Sequence, residues 1–159
     1  MDYRKVLITG SCGLVGSEAV SFYCGKDCQV VGIDNDRRGD WFGKSGSVIR
    51  TLMKLEKLKN YKHHNFSIIN KMALTQLIKL FQPDIIIHCA AQPSHDQSGK
   101  IPFEDFMVNA TGTINLLEAV RECCPDSPFI FVSTNKVYGD RPNLIKLKLT
   151  PYGYIYDDP

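Results

Sequence analysis

Seven residues near the start of the chain, Gly10-Ser11-Cys12-Gly13-Leu14-Val15-Gly16, constrain its fold more than any other stretch. They follow the apolar run Lys5–Thr9 (KVLIT) and open a helical pattern over Leu14–Cys24, where Val15, Ala19 and Phe22–Tyr23 recur at three-to-four-residue spacing before Gly25. Such a handover from strand to helix asks for glycine three times. Gly10 permits a tight turn, and Gly13 lacks the Cβ that would hold a pyrophosphate away. Gly16 lets the helix pack close to the sheet, so that its amino-terminal amides can face phosphates. A bare glycine pattern says little. With Asp34 closing the second apolar run, 18 residues after Gly16, it predicts a dinucleotide site. A tight turn without a ligand is the alternative.

The alternation continues along the chain. Gln29–Ile33 (QVVGI) reads as a second buried strand, and Arg37–Gly46 as a polar, turn-rich excursion around Trp41 and Phe42. A second helix is expected over Val48–Leu58, with Leu52, Leu55 and Leu58 on one side and Lys54, Lys57 and Lys59 in solvent. Tyr61–Ile69 predicts a third, weaker strand, and Met72–Phe81 a third helix broken by Pro83. Asp84–Cys89 (DIIIHC) is a fourth strand and Ala90–Pro102 a loop. Phe103–Cys124 is the longest helix, with Asn109, Thr113, Leu116 and Val120 on one face, and Phe129–Ser133 (FIFVS) the fifth strand. Short apolar strands alternating with helices imply an α/β fold with a parallel sheet covered on both faces. The expected form is a doubly wound, Rossmann-like sheet in strand order 3-2-1-4-5. Residues 1–145 are expected to form this domain and 146–159 an irregular tail.

Composition narrows the partners. The chain has 159 residues, close to one domain, and 19 Lys+Arg against 17 Asp+Glu leave a charge of +2. A balance so near neutral argues against a nucleic-acid partner or a polybasic membrane surface. No apolar run approaches the ~20 residues of a membrane span, and the stretch after Lys5 is too short for a signal peptide. A cytoplasmic location is the expectation. The six cysteines lie mostly in apolar segments, where the thiol acts as a small hydrophobe. No metal site is expected: Cys24-x3-Cys28 has no second pair at zinc-site spacing, and neighbouring His63 and His64 on a strand point to opposite faces.

Asp34 bears on which dinucleotide is meant. A carboxylate accepts hydrogen bonds from the adenosine ribose hydroxyls and repels a 2′-phosphate, which favours NAD. Arg37 and Arg38 stand close by as residues that could serve NADP instead, and Asp34 could simply cap a turn.

The spacing Gly-x-x-Gly-x-x-Gly after Thr9 resembles the extended short-chain dehydrogenase/reductase superfamily, specifically its NAD-dependent nucleotide-sugar epimerases and dehydratases. Further strings carry the resemblance: His88-Cys89-Ala90-Ala91-Gln92, Asn109-Ala110-Thr111-Gly112-Thr113-Ile114-Asn115-Leu116-Leu117-Glu118-Ala119 and Ser133-Thr134-Asn135-Lys136-Val137-Tyr138-Gly139-Asp140. With Ala91-Gln92-Pro93-Ser94-His95-Asp96, Asp34-Asn35 and Trp41-Phe42-Gly43, the chain is most similar to the branch that inverts C2 of CDP-hexoses. The likeness runs over residues 4–143.

The resemblance implies a bound NAD that takes a hydride from a sugar carbon and returns it to the opposite face, with no net redox change. It implies contacts to that NAD from Gly10, Ser11, Gly13, Leu14, Val15, Gly16, Asp34, Asn35, Ser67, Ile68, Ala90, Ala91, Gln92, Asn109 and Ser133. Thr134 corresponds to the catalytic Ser/Thr that hydrogen-bonds the reacting hydroxyl, and Ser94, His95, Asn135 and Lys136 to positions bordering the sugar nucleotide. Plainer roles stand beside these: a turn cap for Thr134, a satisfied mid-helix amide for Asn109, solvated side chains for His95 and Lys136.

Two departures from the family pattern count. Ser67-Ile68 stands where an acid usually meets the adenine amino group. The Tyr-x-x-x-Lys pair that removes the hydroxyl proton has no counterpart: none of Tyr138, Tyr152, Tyr154 and Tyr156 has a lysine four residues on. The far strands and the substrate lobe are missing as well, which leaves the apolar Phe129–Val132 as an open edge inviting a second chain or self-association. The expectation is thus the first half of a nucleotide-sugar epimerase, inactive without a further part. A non-catalytic NAD-binding module, a decayed remnant, or another epimerase or dehydratase activity are the alternatives.

Overall fold

In the computed structural model, residues 4–157 are described, apart from the side chains of Asn135 and Lys136. Five strands form one parallel sheet: β1 (Lys5–Thr9), β2 (Gln29–Ile33), β3 (Tyr61–His64), β4 (Ile85–His88) and β5 (Phe129–Phe131), in the order β3-β2-β1-β4-β5. This is the doubly wound order the sequence predicts. Successive β1 side chains feed opposite cores. Val6 and Ile8 join Val30, Ile85 and Ile87 beneath α1 (Leu14–Cys24), whose Val20 and Cys24 are buried. Leu7 joins Val31, Ile33 and Ile86 against α4 (Lys71–Phe81) and α7 (Gly112–Cys123), through Leu74, Ile78, Leu116, Ala119 and Val120. A sheet buried on both faces explains why its strands read as continuous apolar runs.

Between β2 and β3 the polar excursion is more ordered than expected. It contains α2 (Arg37–Phe42) and a 3₁₀ turn over Gly43–Ser45, and α3 (Ile49–Leu55) follows, shorter than the predicted Val48–Leu58. The third strand is also shorter, stopping at His64 instead of Ile69. The chain turns there, with the Asn70 N–H donating to the Ser67 carbonyl at 2.9 Å, and the Asn70 side chain capping α4 through the Ala73 N–H.

Beyond β4 come α5 (His95–Ser98) and a helix that begins as α6 (Pro102–Phe106), passes through a π turn over Met107–Thr111 and continues as α7. Asn109, Thr113, Leu116 and Val120 face the protein, as their spacing predicts; the π turn is not legible in that spacing. No helix among the described residues is long and apolar enough to cross a membrane.

The irregular tail expected over 146–159 is a correction. After α8 (Arg141–Leu144), β6 (Leu147–Thr150) and β7 (Gly153–Tyr156) pair antiparallel as a separate hairpin. Thr150 Oγ1 donates to the Gly153 carbonyl at 2.7 Å, closing the turn, and Gly153 takes a φ of 119° that favours glycine. Alternation of Leu147 and Leu149, then of Tyr154 and Tyr156, was the strand signal in a stretch too short and polar to stand out.

Candidate functional site

The carboxyl ends of β1, β2 and β4 open onto a cleft of about 470 Å³, where a doubly wound sheet places its ligands. The glycine turn forms its floor. Gly10 sits at φ 65°, its N–H donating to the Ile33 carbonyl at 2.8 Å, and a Cβ there would strike Ala90. A Cβ on Gly16 would overlap the Gly10 carbonyl, so α1 can approach the sheet only with glycine at that position. Gly13 differs: an added Cβ has one neighbour, the Gly10 carbonyl at 3.3 Å, and otherwise stands over the cleft. Leu14 and Val15, on the exposed first turn of α1, line the same wall. The first N–H groups of a helix have no intrahelical acceptor, so this turn offers donors to an anion.

Asp34 ends β2 at the edge of this floor. One oxygen accepts the Cys12 N–H and the other the Asp36 N–H, both at 3.0 Å, which fixes the carboxylate beside Asn35 in the cleft wall. Ser67 and Ile68 line the opposite side, held there by Asn115, whose amide donates to the Ile68 and Ile69 carbonyls at 3.3 and 3.0 Å. Ser11 lies elsewhere. Fully buried beneath the turn, its hydroxyl meets the Tyr61 hydroxyl at 2.9 Å, in space that Gly32 leaves by having no Cβ. Its side chain points away from the cleft.

A second cavity of about 470 Å³ adjoins the first, sharing Ala90, Ala91, Pro93 and Val132 with it. Ser133, Thr134, Ser94, His95, Gln92 and Asn109 line it. The loop Ala90–Ser94 is clamped rather than free. Asn109 accepts the Gln92 N–H at 2.8 Å and donates to the Gln92 carbonyl at 3.1 Å and to Asp105 at 3.2 Å. Gln92 in turn donates to Asp105 and accepts the Ser94 N–H. Asn109 therefore positions the loop. The side chains of Asn135 and Lys136 lie outside the described residues.

Several residues of the site escape sequence reasoning. His88 is buried at the end of β4, its Nε2 3.0 Å from Thr113 Oγ1 and its Nδ1 2.6 Å from Thr9 Oγ1. Because the Thr113 hydroxyl donates to the Asn109 carbonyl at 2.6 Å, His88 carries its proton on Nε2 and accepts from Thr9. Burial pushes its pKa down to about 4, so the ring is neutral at physiological pH. The Thr9 hydroxyl also accepts the Ala90 N–H at 3.3 Å, which ties β1, β4, α7 and the loop Ala90–Ser94 into one network. Cys89 lines the first cleft, but burial raises its thiol to about 11, leaving a protonated, unreactive group. Arg37 spans the mouth of the first cleft to Glu104 on α6. Sequence offers no signal for that contact across 67 residues.

These residues fit a dinucleotide. A backbone cradle that a Cβ at Gly13 would fill, a carboxylate fixed at the end of β2, and a cleft continuing past Ala90 and Ala91 into a second cavity with Ser94, His95, Ser133 and Thr134 in its wall match its phosphates, ribose and reactive ring in that order.

A Rossmann-like domain with this turn and this acid defines the class. The chain belongs to the nucleotide-sugar epimerase and dehydratase family, matching over residues 7–152 the family described as GDP-mannose 4,6 dehydratase. Among curated relatives, CDP-paratose 2-epimerase of Salmonella typhi is 39% identical over 137 residues, covering 86% of this chain and 38% of the relative. Of solved structures, the UDP-Glc/GlcNAc 4-epimerase of Campylobacter jejuni superposes with a TM-score of 0.74 at 26% identity, over 96% of this chain and 44% of that one. A Bordetella bronchiseptica enzyme in complex with NAD+ gives 0.70 at 29%, over 86% and 40%. The chain thus spans about two fifths of the length of the relatives it matches.

Proposed function

We propose that the chain is the NAD-binding part of a nucleotide-sugar epimerase acting at C2 of a CDP-hexose such as CDP-paratose, working in the cytoplasm. The observation that carries this reading is the continuity of the two cavities, from the glycine turn and Asp34 to Ser133 and Thr134. Bound NAD would supply a hydride acceptor and donor. The chain's own part is binding and orientation: the turn at Gly10–Gly16 cradles the pyrophosphate, Asp34 and Asn35 take the adenosine ribose, and Ser67 with Ile68 flank the adenine. Ala90, Ala91 and the clamped Gln92 border the nicotinamide half. Thr134 hydrogen-bonds the reacting hydroxyl, with Ser94, His95, Asn135 and Lys136 around the sugar. The proton of that hydroxyl needs a base, and no Tyr-x-x-x-Lys pair is present in these 159 residues.

The uncharged Ser67, at a position where the family usually carries an acid, favours as a second reading a module that binds NAD without sugar chemistry. Calorimetry with NAD+ and a CDP-paratose turnover assay, run on the chain alone and with the polypeptide encoded immediately downstream, separate the two. Turnover only in the second case supports the epimerase. NAD+ binding without turnover in either supports the module. No NAD+ binding at millimolar concentration overturns both.

A further inference from the structure

Resting on the reading that the first cleft takes a dinucleotide, we propose that Glu104 and Asp40 determine which one, by holding Arg37 away from a ribose 2′-phosphate. Two arginines, Arg37 and Arg38, line this cleft within four residues of Asp34, an arrangement that by composition alone would suit NADP. Their geometry says otherwise. Arg37 Nε donates to Glu104 Oε1 at 2.7 Å, one terminal nitrogen meets the same oxygen at 2.6 Å, and the other donates to Asp40 at 2.8 Å. All three guanidinium nitrogens are engaged by carboxylates. Arg38 instead lies over the Phe42 ring, 5.4 Å from its centroid.

The charges lining the cleft are then three carboxylates (Asp34, Asp40, Glu104) against two guanidiniums. A 2′-phosphate bringing up to about two further negative charges meets a wall that is already net negative. Asp34 alone does not account for this: without Glu104 and Asp40 the same wall would be net positive, with a free guanidinium fork of the kind that grips phosphate. Glu104 reaches Arg37 because α6 is placed by its own Asp105 and by Asn109 of the π turn that follows, which together hold the Gln92 loop. The determinant of cofactor choice is therefore shared between the β2 end and a helix far along the chain.

The single tryptophan offers the readout, because Trp41 lines the same cleft and its fluorescence is expected to change on occupancy. NAD+ and NADP+ are titrated into the full chain, into Glu104→Gln, into Asp40→Asn with Glu104→Gln, and into that double variant carrying Arg37→Gln as well. The single Glu104→Gln change is isosteric at a half-buried position and is expected to keep the fold. The NADP+ to NAD+ affinity ratio is expected to rise in Glu104→Gln and to rise about tenfold to a hundredfold in the double variant. Adding Arg37→Gln is expected to return it close to the starting value. An unchanged ratio in the double variant with NAD+ still bound overturns the inference alone, as does a gain that survives Arg37→Gln. Failure of the unsubstituted chain to bind either dinucleotide overturns the reading beneath it.

Discussion

Gly13 and Gly16 both leave space beside the turn, but the chain itself fills only the one at Gly16. At Gly16 a Cβ lands on the Gly10 carbonyl of the same chain; at Gly13 it projects over the cleft from extended backbone that alanine tolerates. The two alanine variants should therefore part company. Gly16→Ala is expected to cost about 3 kcal/mol in denaturant unfolding, because neither helix nor turn can yield without losing packing. Gly13→Ala is expected to melt within a few degrees of the parent, yet to lose NAD+ affinity by about tenfold or more, since the pyrophosphate needs that approach. Melting each variant with and without NAD+ separates the effects. Both glycines, and Asp34 after them, were legible because local spacing dictates them. The inward turn of Ser11 was not, since it depends on Tyr61 and Gly32, which meet it only through the sheet. Asp36 was equally hidden: its carboxylate accepts from Ser47 and the Val48 N–H, closing the excursion on itself.

At the scale of elements, one hydrogen-bond network ties the ends of β1 and β4 to the first turn of α7 and, through the Asn109 carbonyl, to the π turn. His88 sits between Thr9 and Thr113, neutral and buried, while the unfolded chain titrates near the ordinary value of 6.5. Between about pH 6.5 and 4 the unfolded state holds more protons than the folded one, so stability is full above 6.5 and falls as the pH drops through this window. The loss from His88 is about 3 kcal/mol by pH ~4. His63 and His64, also lowered by burial, add in the same direction. Urea unfolding at a series of pH values should show this slope, reduced in a His88→Asn variant. Asn109 makes a separate prediction. Its loss leaves the Gln92 amide and carbonyl without their partner, so Asn109→Ala should cost about 1–3 kcal/mol and speed hydrogen exchange at Gln92 and Ser94. The helix face bearing Asn109, Thr113, Leu116 and Val120 could be read from spacing. The π turn could not, because it inserts its extra residue without breaking the apolar pattern.

For the whole molecule, sheet order and both cores were legible, since continuous apolar strands between amphipathic helices admit few arrangements. The exposure of one strand was legible in kind as well: FIFVS is a central-strand sequence, and β5 has β4 on one side only among the described residues. Ile130 and Phe131 are 44% and 54% exposed there, close to the apolar Val137, Tyr138 and Leu144 in sequence. An unpaired edge with apolar side chains is a template for another strand, whether from a second polypeptide or a second copy. Dilute chain alone has only the second option, so its mass by light scattering should rise with concentration. Ile130→Lys places a charge where natural edge strands often carry one, and should flatten that rise. Its effect on the unfolding midpoint should be small, because about half of the side chain already faces water. If the downstream polypeptide supplies the partner strand, the same substitution should weaken its association and lower CDP-paratose turnover while NAD+ affinity stays unchanged. A fall in NAD+ affinity instead would mean that the edge supports the cleft itself, and that the strand pairing proposed for β5 is not what the substitution disturbs.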